Sequence, residues 1–353
     1  MSDLYVKDFE NKKPLVSVCI STWKRKEALK KLFDSILIQD YQSIELCVVD
    51  NASMDGTFKL IHDYNALFNK RGIAVLYELM PTPHPNAIYT INRALDMGTG
   101  EYKMIVDDDA YFDDQFVISN LVETMNTNLK AAIVGAYVRG LDGKYQMPVR
   151  SVTGEYLTDD EIQNMGTFNY FEFHGACALF RSRILAMYGG YDKSFKIYMN
   201  ELDLALRFIA RGCEVLINSN ARVTHTGVGD INACNGRAKY FVRNYNTCIL
   251  RNFRGWLRWK AFFLHTFMSC GFYIERILCY NICPKYKVIP LIASFISVVL
   301  YNIHDGLTMY KRTFNDPVYQ DIVEQSFYNG FKKCIYDRFT WLTFKRGLNR
   351  GIR

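Results

Sequence analysis

Three adjacent carboxylates, Asp107, Asp108 and Asp109, end an apolar run, Met104-Ile105-Val106, in the stretch YKMIVDDDAYFDD. Like charges this close repel, so their company needs a reason. In an extended or tightly turned backbone residues i and i+2 point the same way. Asp107 and Asp109 then face one object while Asp108 faces elsewhere. Two hard oxygen ligands on one side suit Mg2+ or Mn2+, which use one or two carboxylates together with substrate phosphates. Such a triplet also occurs as a solvated turn or a helix cap; its place after a buried strand favours the metal. His225, in VTHTG, is a second candidate. A lone histidine is more often structural, but an imidazole joining two carboxylates would shift the preference from Mg2+ toward Mn2+.

A candidate general base lies in MNELDLALR. Asn200 suits an N-cap and Asp203 the acidic half of a box-like cap. Asp203 also stands four residues before Arg207, a helical ion-pair spacing. Glu201 has no such partner and lies ~200° from Asp203 around a helix. A carboxylate left over at a helix start beside the loop GGYDKSFKIY is a reasonable base; the plainer reading is a first-turn Glu that compensates the helix dipole.

The elements that must position these groups alternate. Apolar strand runs are expected over Val16 to Ile20, Ile44 to Val49, Ile73 to Leu79, Tyr102 to Val106, Ala131 to Val138 and Gly175 to Phe180. Helical spacing predicts helices over Lys24 to Gln39, Thr57 to Phe68, Asn86 to Asp96 and Asp114 to Asn128. Strand–helix alternation with apolar strands implies an α/β fold, a mostly parallel sheet flanked by helices. Ligands collect at the carboxyl ends of such strands. Ser21-Thr22, Asp50-Asn51 and Asp107 to Asp109 all stand there.

Beyond about residue 235 the pattern becomes long helical segments, Lys239 to Phe253, Trp256 to Tyr280 and Val288 to Tyr301. Two domains are expected, 1–235 for binding and catalysis and 236–353 as a basic, aromatic-rich helical region. Residues 1–235 carry 24 Lys+Arg against 30 Asp+Glu, whereas 236–353 carry 19 against 6. That asymmetry calls for an anionic partner. Trp256, Arg258, Trp259, Lys260, Phe262 and Phe263 mix aromatic and basic residues as interfacial helices do. An anionic membrane surface and a homo-oligomer contact are both open roles for this region. Nucleic acid is set aside, because no helix-turn-helix, zinc or RNA-binding signature accompanies the charge. The opening MSDLYVKDFENKKP lacks the apolar core of a signal peptide, and no segment reaches the ~20 apolar residues needed to span a bilayer. The ten cysteines form no CxxC pair, which fits a reducing compartment. The expected location is cytoplasmic, with peripheral attachment at the inner face of the membrane if the basic region binds lipid.

These pieces in order, VSVCISTWKR, ELCVVDNASMDGT, INRAL, MIVDDDA, GACALFRSRIL, GGYDKSF, NELDLALR and RVTHTG, resemble the inverting family 2 nucleotide-sugar glycosyltransferases of the GT-A fold, nearest their rhamnosyl- and galactofuranosyl-transferase branch. The resemblance covers roughly residues 14 to 310; YFVRNYNTCILR and IHDGL resemble that branch's helical tail. It implies that Thr22 and Asp50, with Asn92, Arg93, Asp107 and Asp108, meet the nucleotide. It implies Asp107, Asp109 and His225 as metal ligands for Mn2+ or Mg2+, Glu201 as the base, and His174 and Asp203 on the acceptor side. The partners implied are a nucleotide-sugar donor, UDP- or dTDP-linked, and a glycan or lipid-linked glycan acceptor. Two departures stand out. HPNAIYTINRA has no glycine where the family has a glycine-rich segment, and Asn200-Glu201 replaces the usual Glu-Asp pair. Competing classes are a sugar-1-phosphate nucleotidyltransferase, whose glycine-rich loop is missing from ISTWKRKEA, and a non-catalytic nucleotide- or carbohydrate-binding protein.

Overall fold

A computed structural model describes residues 13–147, 149, 157–195, 197–227, 234–252, 255–278 and 296. The expectations for the first twelve residues, for IHDGL and, Ile296 apart, for a helix over Val288 to Tyr301 lie outside the described residues. The chain divides into two compact units, Met1–Met147 with Asp159–Gly229, and Pro148–Thr158 with Asp230–Arg353.

In the first unit the elements follow as β1 (Val16–Thr22), α1 (Lys26–Leu37), β2 (Ile44–Asp50), α2 (Thr57–Lys70), β3 (Ala74–Leu79), α3 (Ala87–Met97), β4 (Tyr102–Val106), β5 (Ala110–Phe112), α4 (Val117–Thr127), β6 (Ala131–Arg139), α5 (Asp159–Asn164), β7 (Thr167–Asn169), β8 (Cys177–Arg181), α6 (Ser182–Tyr188), α7 (Asn200–Ile209) and β9 (Glu214–His225). The nine strands form one sheet in the order β3-β2-β1-β4-β8-β6-β9-β5, with β7 on β9. β1, β2, β3, β4, β6 and β9 run one way; β5, β7 and β8 oppose them. The mostly parallel α/β sheet is therefore as expected.

Parallel strands are covered on both faces and so read as continuous apolar runs. All seven residues of β2 are buried. On one face Val16, Val18 and Ile20 of β1 pack with Leu29, Leu32, Phe33 and Ile36 of α1, and with the apolar stripes of α2 and α4. Those α1 positions recur at the helical spacing i, i+3, i+4, i+7. Each such side chain contributes about 1.5–3 kcal/mol by leaving water. α3 contacts β1, β2 and β4. Edge strand β3 departs from the expected burial, since each of its residues is exposed or half-buried.

Caps fix the helix starts that face the strand ends. Arg25, at the N-cap of α1, provides no cap; Asp55 Oδ2 from the loop after β2 accepts the Lys26 N–H at 3.1 Å instead. Asn86 caps α3 by accepting the Ile88 N–H at 3.0 Å. At α7 the expectation fails: Met199 is the N-cap, at φ 60°, after Tyr198 at φ 66°. Two successive left-handed non-glycine residues turn the chain so that Asn200 already lies inside the helix, where it cannot cap.

In the second unit, α8 (Cys234–Asn252) and α9 (Gly255–Leu278) pack on each other. Their contact has a polar centre: His265 Nδ1 lies 2.6 Å from Asn246 Oδ1, and the His265 ring stacks on Tyr245 at 4.5 Å. Phe262, grouped above with the interfacial residues, is turned inward and 8% exposed. No helix among the described residues is long and apolar enough to cross a membrane.

Candidate functional site

The acidic turn leaves the carboxyl end of β4, an interior strand flanked by β1 and β8. Asp107 N–H donates to Ala176 O (3.1 Å), and Ala110 N–H closes the turn on Asp107 O (3.0 Å). The chain then enters β5, three residues that pair antiparallel with the end of β9 in the register Ala110↔His225. Thr226 clamps the turn further, since its N–H and its hydroxyl both donate to Asp109 O at 2.9 Å. That short ladder is why His225 faces the acidic turn. His225 Nε2 lies 3.1 Å from Asp109 Oδ1 and 3.8 Å from Asp107 Oδ2. One ligand atom from each of Asp107, Asp109 and His225 falls within 4.8 Å of the others.

Asp108 turns the other way, as its i+1 position requires. It is 4% exposed, with Oδ1 2.9 Å from Arg25 Nη1 and Oδ2 accepting the Trp23 N–H at 3.3 Å. The same Nη1 lies 2.9 Å from Asp109 Oδ2. Arg25, absent from the expected site residues, thus bridges two of the three carboxylates. It follows β1, and β1 lies beside β4; that adjacency is the signal that would have found it. Three carboxylates against one guanidinium leave an excess of two negative charges, the charge of one divalent ion. Burial is opposed at Asp109 by His225 and Arg25, which hold its carboxyl below the usual range. Burial raises Asp108 despite Arg25. Asp107, its side chain 43% exposed, is pushed up to about 7 by desolvation and by the carboxylates around it, against the pull of His225.

The residues fit a divalent cation. Asp109 Oδ1 is buried, and the group that approaches it is the His225 imidazole, its Nε2 3.1 Å away. The tautomer is set on the other side of the ring. His225 Nδ1 is 2.6 Å from Gln146 Oε1, and the Gln146 amide nitrogen donates to His225 O at 3.2 Å. The carbonyl can accept only from an amide N–H, which orients the Gln146 side chain and assigns the imidazole proton to Nδ1. In the neutral ring Nε2 then offers a lone pair to the same space as Asp109 Oδ1. Burial lowers the pKa of His225, but Asp109 and Asp107 outweigh it and raise the ring above its ordinary value.

His174 lies against this cluster, its ring 5.5 Å from that of His225. Its Nδ1 accepts the Ala176 N–H at 3.1 Å, so the neutral ring carries its proton on Nε2. Burial and His225 lower its pKa to about 3. His174 is thus a neutral hydrogen-bond donor.

Glu201 opens α7, and Asn200 Nδ2 donates to its Oε1 at 2.8 Å. Burial raises its pKa, and its charge in turn raises that of Asp107. A Cβ at Gly175 would overlap Glu201 Oε1, so glycine there makes room for the carboxylate. Tyr191 is 4% exposed, with a buried hydroxyl lacking a hydrogen-bond partner, in the field of both Glu201 and Asp107. Glu172, not expected from the sequence, joins this group; burial and Glu201 push its carboxyl up to about 8. Asp203, expected on the acceptor side, is turned into the protein. It is 0% exposed and pairs with Arg207 at 3.5 Å, and Arg207 donates to the carbonyls of Tyr188, Gly189 and Gly190. Its helical spacing to Arg207 explains the difference: the pair braces the turn before the GGYDKSF loop.

Thr22 and Asp50 stand side by side at the ends of β1 and β2. The Asp50 carboxylate accepts from Ser53 N–H (2.8 Å) and Tyr77 OH (3.2 Å) and is 0% exposed. Asn92 and Arg93 are committed to protein partners. Asn92 holds both the N–H and the carbonyl of Tyr191, at 2.9 and 2.8 Å. Arg93 lies outward, its Nε 3.0 and 3.1 Å from the two carboxylate oxygens of Glu78 on β3. A cleft of about 550 Å3 opens over Asp109, lined by Lys24, Arg25, Lys26, Lys31 and Tyr111. Glu27 and Asp55 line it as well, so four cationic side chains meet three carboxylates there.

Residues 17–189 match glycosyl transferase family 2. Among curated proteins the chain is 22% identical over 227 residues to the O-antigen biosynthesis protein RfbC of Myxococcus xanthus, covering 60% of this chain and 17% of that one. It is 25% identical over 133 residues to the putative teichuronic acid biosynthesis glycosyltransferase TuaG of Bacillus subtilis (38% and 51%). It is 35% identical over 107 residues to abequosyltransferase RfbV of Salmonella typhimurium (30% and 31%). The matches thus span between 17% and 51% of these relatives' own lengths. Among solved structures, S. aureus TarS 1–349 in complex with UDP-GlcNAc aligns at TM-score 0.57 and 15% identity, over 90% of this chain and 89% of that one. Mannosyltransferase PcManGT from Pyrobaculum calidifontis, in complex with GDP-Man and Mn2+, aligns at 0.55 and 17% (84% and 88%). At these identities the likeness shows the fold.

Proposed function

We propose that this chain, whose residues 17–189 form a glycosyl transferase family 2 domain on the GT-A fold, is a metal-dependent inverting glycosyltransferase. It moves a sugar from a UDP- or dTDP-sugar donor to a hydroxyl of a glycan or lipid-linked glycan. The observation that carries the reading is the placement of one ligand atom from each of Asp107, Asp109 and His225 within 4.8 Å of one another. Asp107, Asp109 and His225 would hold Mn2+ or Mg2+. When bound, the ion supplies Lewis-acid stabilisation of the charge that gathers on the leaving diphosphate.

The chain's own groups do the rest. Thr22, Asp50 and Asp108 shape the nucleotide side at the strand ends. Asn92 and Arg93 serve it indirectly, by fixing the Tyr191 backbone and strand β3. His174 offers an Nε2–H donor to a substrate oxygen. Glu201, raised in pKa by burial, takes the proton of the acceptor hydroxyl; a base with raised pKa holds that proton better. Attack from the face opposite the departing nucleotide inverts the anomeric centre. The relatives named for O-antigen and teichuronic acid biosynthesis support a surface polysaccharide as acceptor.

The test is a donor screen with Mn2+, scoring release of UDP, dTDP or GDP from their sugars. Release that depends on the ion and on added acceptor supports transfer. Release of pyrophosphate from a nucleoside triphosphate would point to a nucleotidyltransferase. Tight nucleotide binding without turnover would point to a binding protein.

A further inference from the structure

The helix α9 carries an aromatic ridge that the catalytic reading does not use. Trp256, Trp259 and Phe263 are 76%, 37% and 61% exposed. Their spacing, i, i+3, i+7, puts them on one side of the helix. Lys260 is exposed on the same side, one turn from Trp256. Ala261, Phe262 and His265, on the opposite side, are 0%, 8% and 6% exposed. The ridge rings are neighbours, Trp259 and Phe263 lying 6.4 Å apart, and the Arg258 guanidinium sits 5.3 Å from the Trp259 ring. The surrounding charge has one sign. Residues 231–274 contain seven Lys or Arg and no Asp or Glu.

We propose that this side of α9 is a membrane-surface anchor. Trp256, Trp259 and Phe263 sink into the boundary between headgroups and acyl chains of an anionic bilayer, with Lys260 at the lipid phosphates. Three arguments select this occupant. The indole is apolar with one polar N–H, which suits the wet–dry boundary. An uninterrupted positive segment is drawn to anionic lipid, and one with no acidic residue offers nothing to a basic protein partner. The ridge is convex along a single helix, whereas sugar sites are concave; an anionic glycan would thus meet the charge but find no cleft. The helix lies along the surface, as amphipathic interfacial helices do. The proposal does not depend on the transfer reaction above.

The test is sedimentation of the full chain with vesicles of phosphatidylcholine alone and of phosphatidylcholine mixed with phosphatidylglycerol. Binding is expected to the mixed vesicles, with a blue shift of tryptophan emission and at least ~10-fold weaker partitioning in high salt. The triple variant W256A/W259A/F263A should lose at least ~10-fold in partitioning. Because Trp259 is 37% exposed and packs on Phe262, the double variant W256A/F263A, expected to keep the circular dichroism spectrum and thermal midpoint of the parent while still losing partitioning, controls for folding. Lys260→Glu should weaken binding only to the anionic vesicles. The proposal fails if the triple variant partitions like the parent chain. It fails also if neither vesicle binds and the same substitutions instead abolish a self-association seen without lipid.

Discussion

Gln146 and His225 hold each other twice: the imidazole Nδ1 lies 2.6 Å from the Gln146 carbonyl oxygen, and the Gln146 amide donates to the His225 main-chain oxygen at 3.2 Å. The glutamine reaches that position because the turn after β6 folds back, with Gln146 N–H donating to Val138 O at 2.9 Å. Partners of this kind fix the orientation and tautomer of a ligating histidine, and their loss costs roughly 10–100-fold in metal affinity. Gln146→Leu should therefore weaken Mn2+ binding by about that factor, read by titration calorimetry. Gln146→Glu, which keeps an acceptor, should stay within a few-fold of the parent. Equal affinity in all three proteins would remove Gln146 from the site.

Metal binding should also depend on pH with a definite sign. Asp107 is pushed up to about 7 and His225 is raised above its ordinary value, so below neutrality protons occupy the ligand atoms. Binding must expel them. Affinity for Mn2+ is expected to fall as pH drops from about 8 to 5.5, with proton release visible as a dependence of the heat on buffer. A flat affinity across that range would contradict the ligand set.

Glu201→Gln removes the proposed base. Transfer should fall by about 10^2–10^4-fold, while nucleotide affinity stays the same. Gly175→Ala tests the same carboxylate from beneath, because a Cβ there overlaps Glu201 Oε1. It should lower kcat more than donor affinity.

Arg25 offsets two buried carboxylates from one guanidinium nitrogen. Arg25→Leu should destabilise the fold by about 2–3 kcal/mol, less than a fully buried pair because the Arg25 side chain is 36% exposed. Mn2+ should recover part of that loss in a thermal melt, since it neutralises the same charges. A variant as stable as the parent without metal would show that the bridge is incidental.

Glu172 gives a stability prediction opposite in sign to an ordinary carboxylate. Its folded pKa is raised from 4.5 to about 8, so the folded state binds the proton more tightly than the unfolded chain. Stability from this group is full below the unfolded value and is lost as pH rises through the folded one. Glu172→Gln mimics the protonated form. It should raise the thermal midpoint clearly at about pH 8.5 and little at about pH 5, a gain on the order of a few kcal/mol.

Much of this was legible because the signal was local. The apolar runs of β1, β2, β4 and β6 and the helical stripe of α1 are continuous in sequence, and the strand ends they imply carry Thr22, Asp50 and Asp107 to Asp109. What escaped was set by distant contacts. Arg25 meets Asp108 across 83 residues and Gln146 meets His225 across 79. β5 has three residues, too few for any period to show. The cap expected at Asn200 failed because Tyr198 and Met199 take left-handed backbone, a conformation that nothing in their side chains announces.

The pairing of β5 with β9 has a temporal consequence. It joins Asp109 to Thr226 across 117 residues, so the two halves of the ion pocket are strangers until the last strand of the sheet docks. A chain emerging from the ribosome acquires its acidic turn early and its imidazole late. Ion binding at this pocket would then report that the whole sheet has closed, and a fragment ending before residue 214 should be blind to Mn2+.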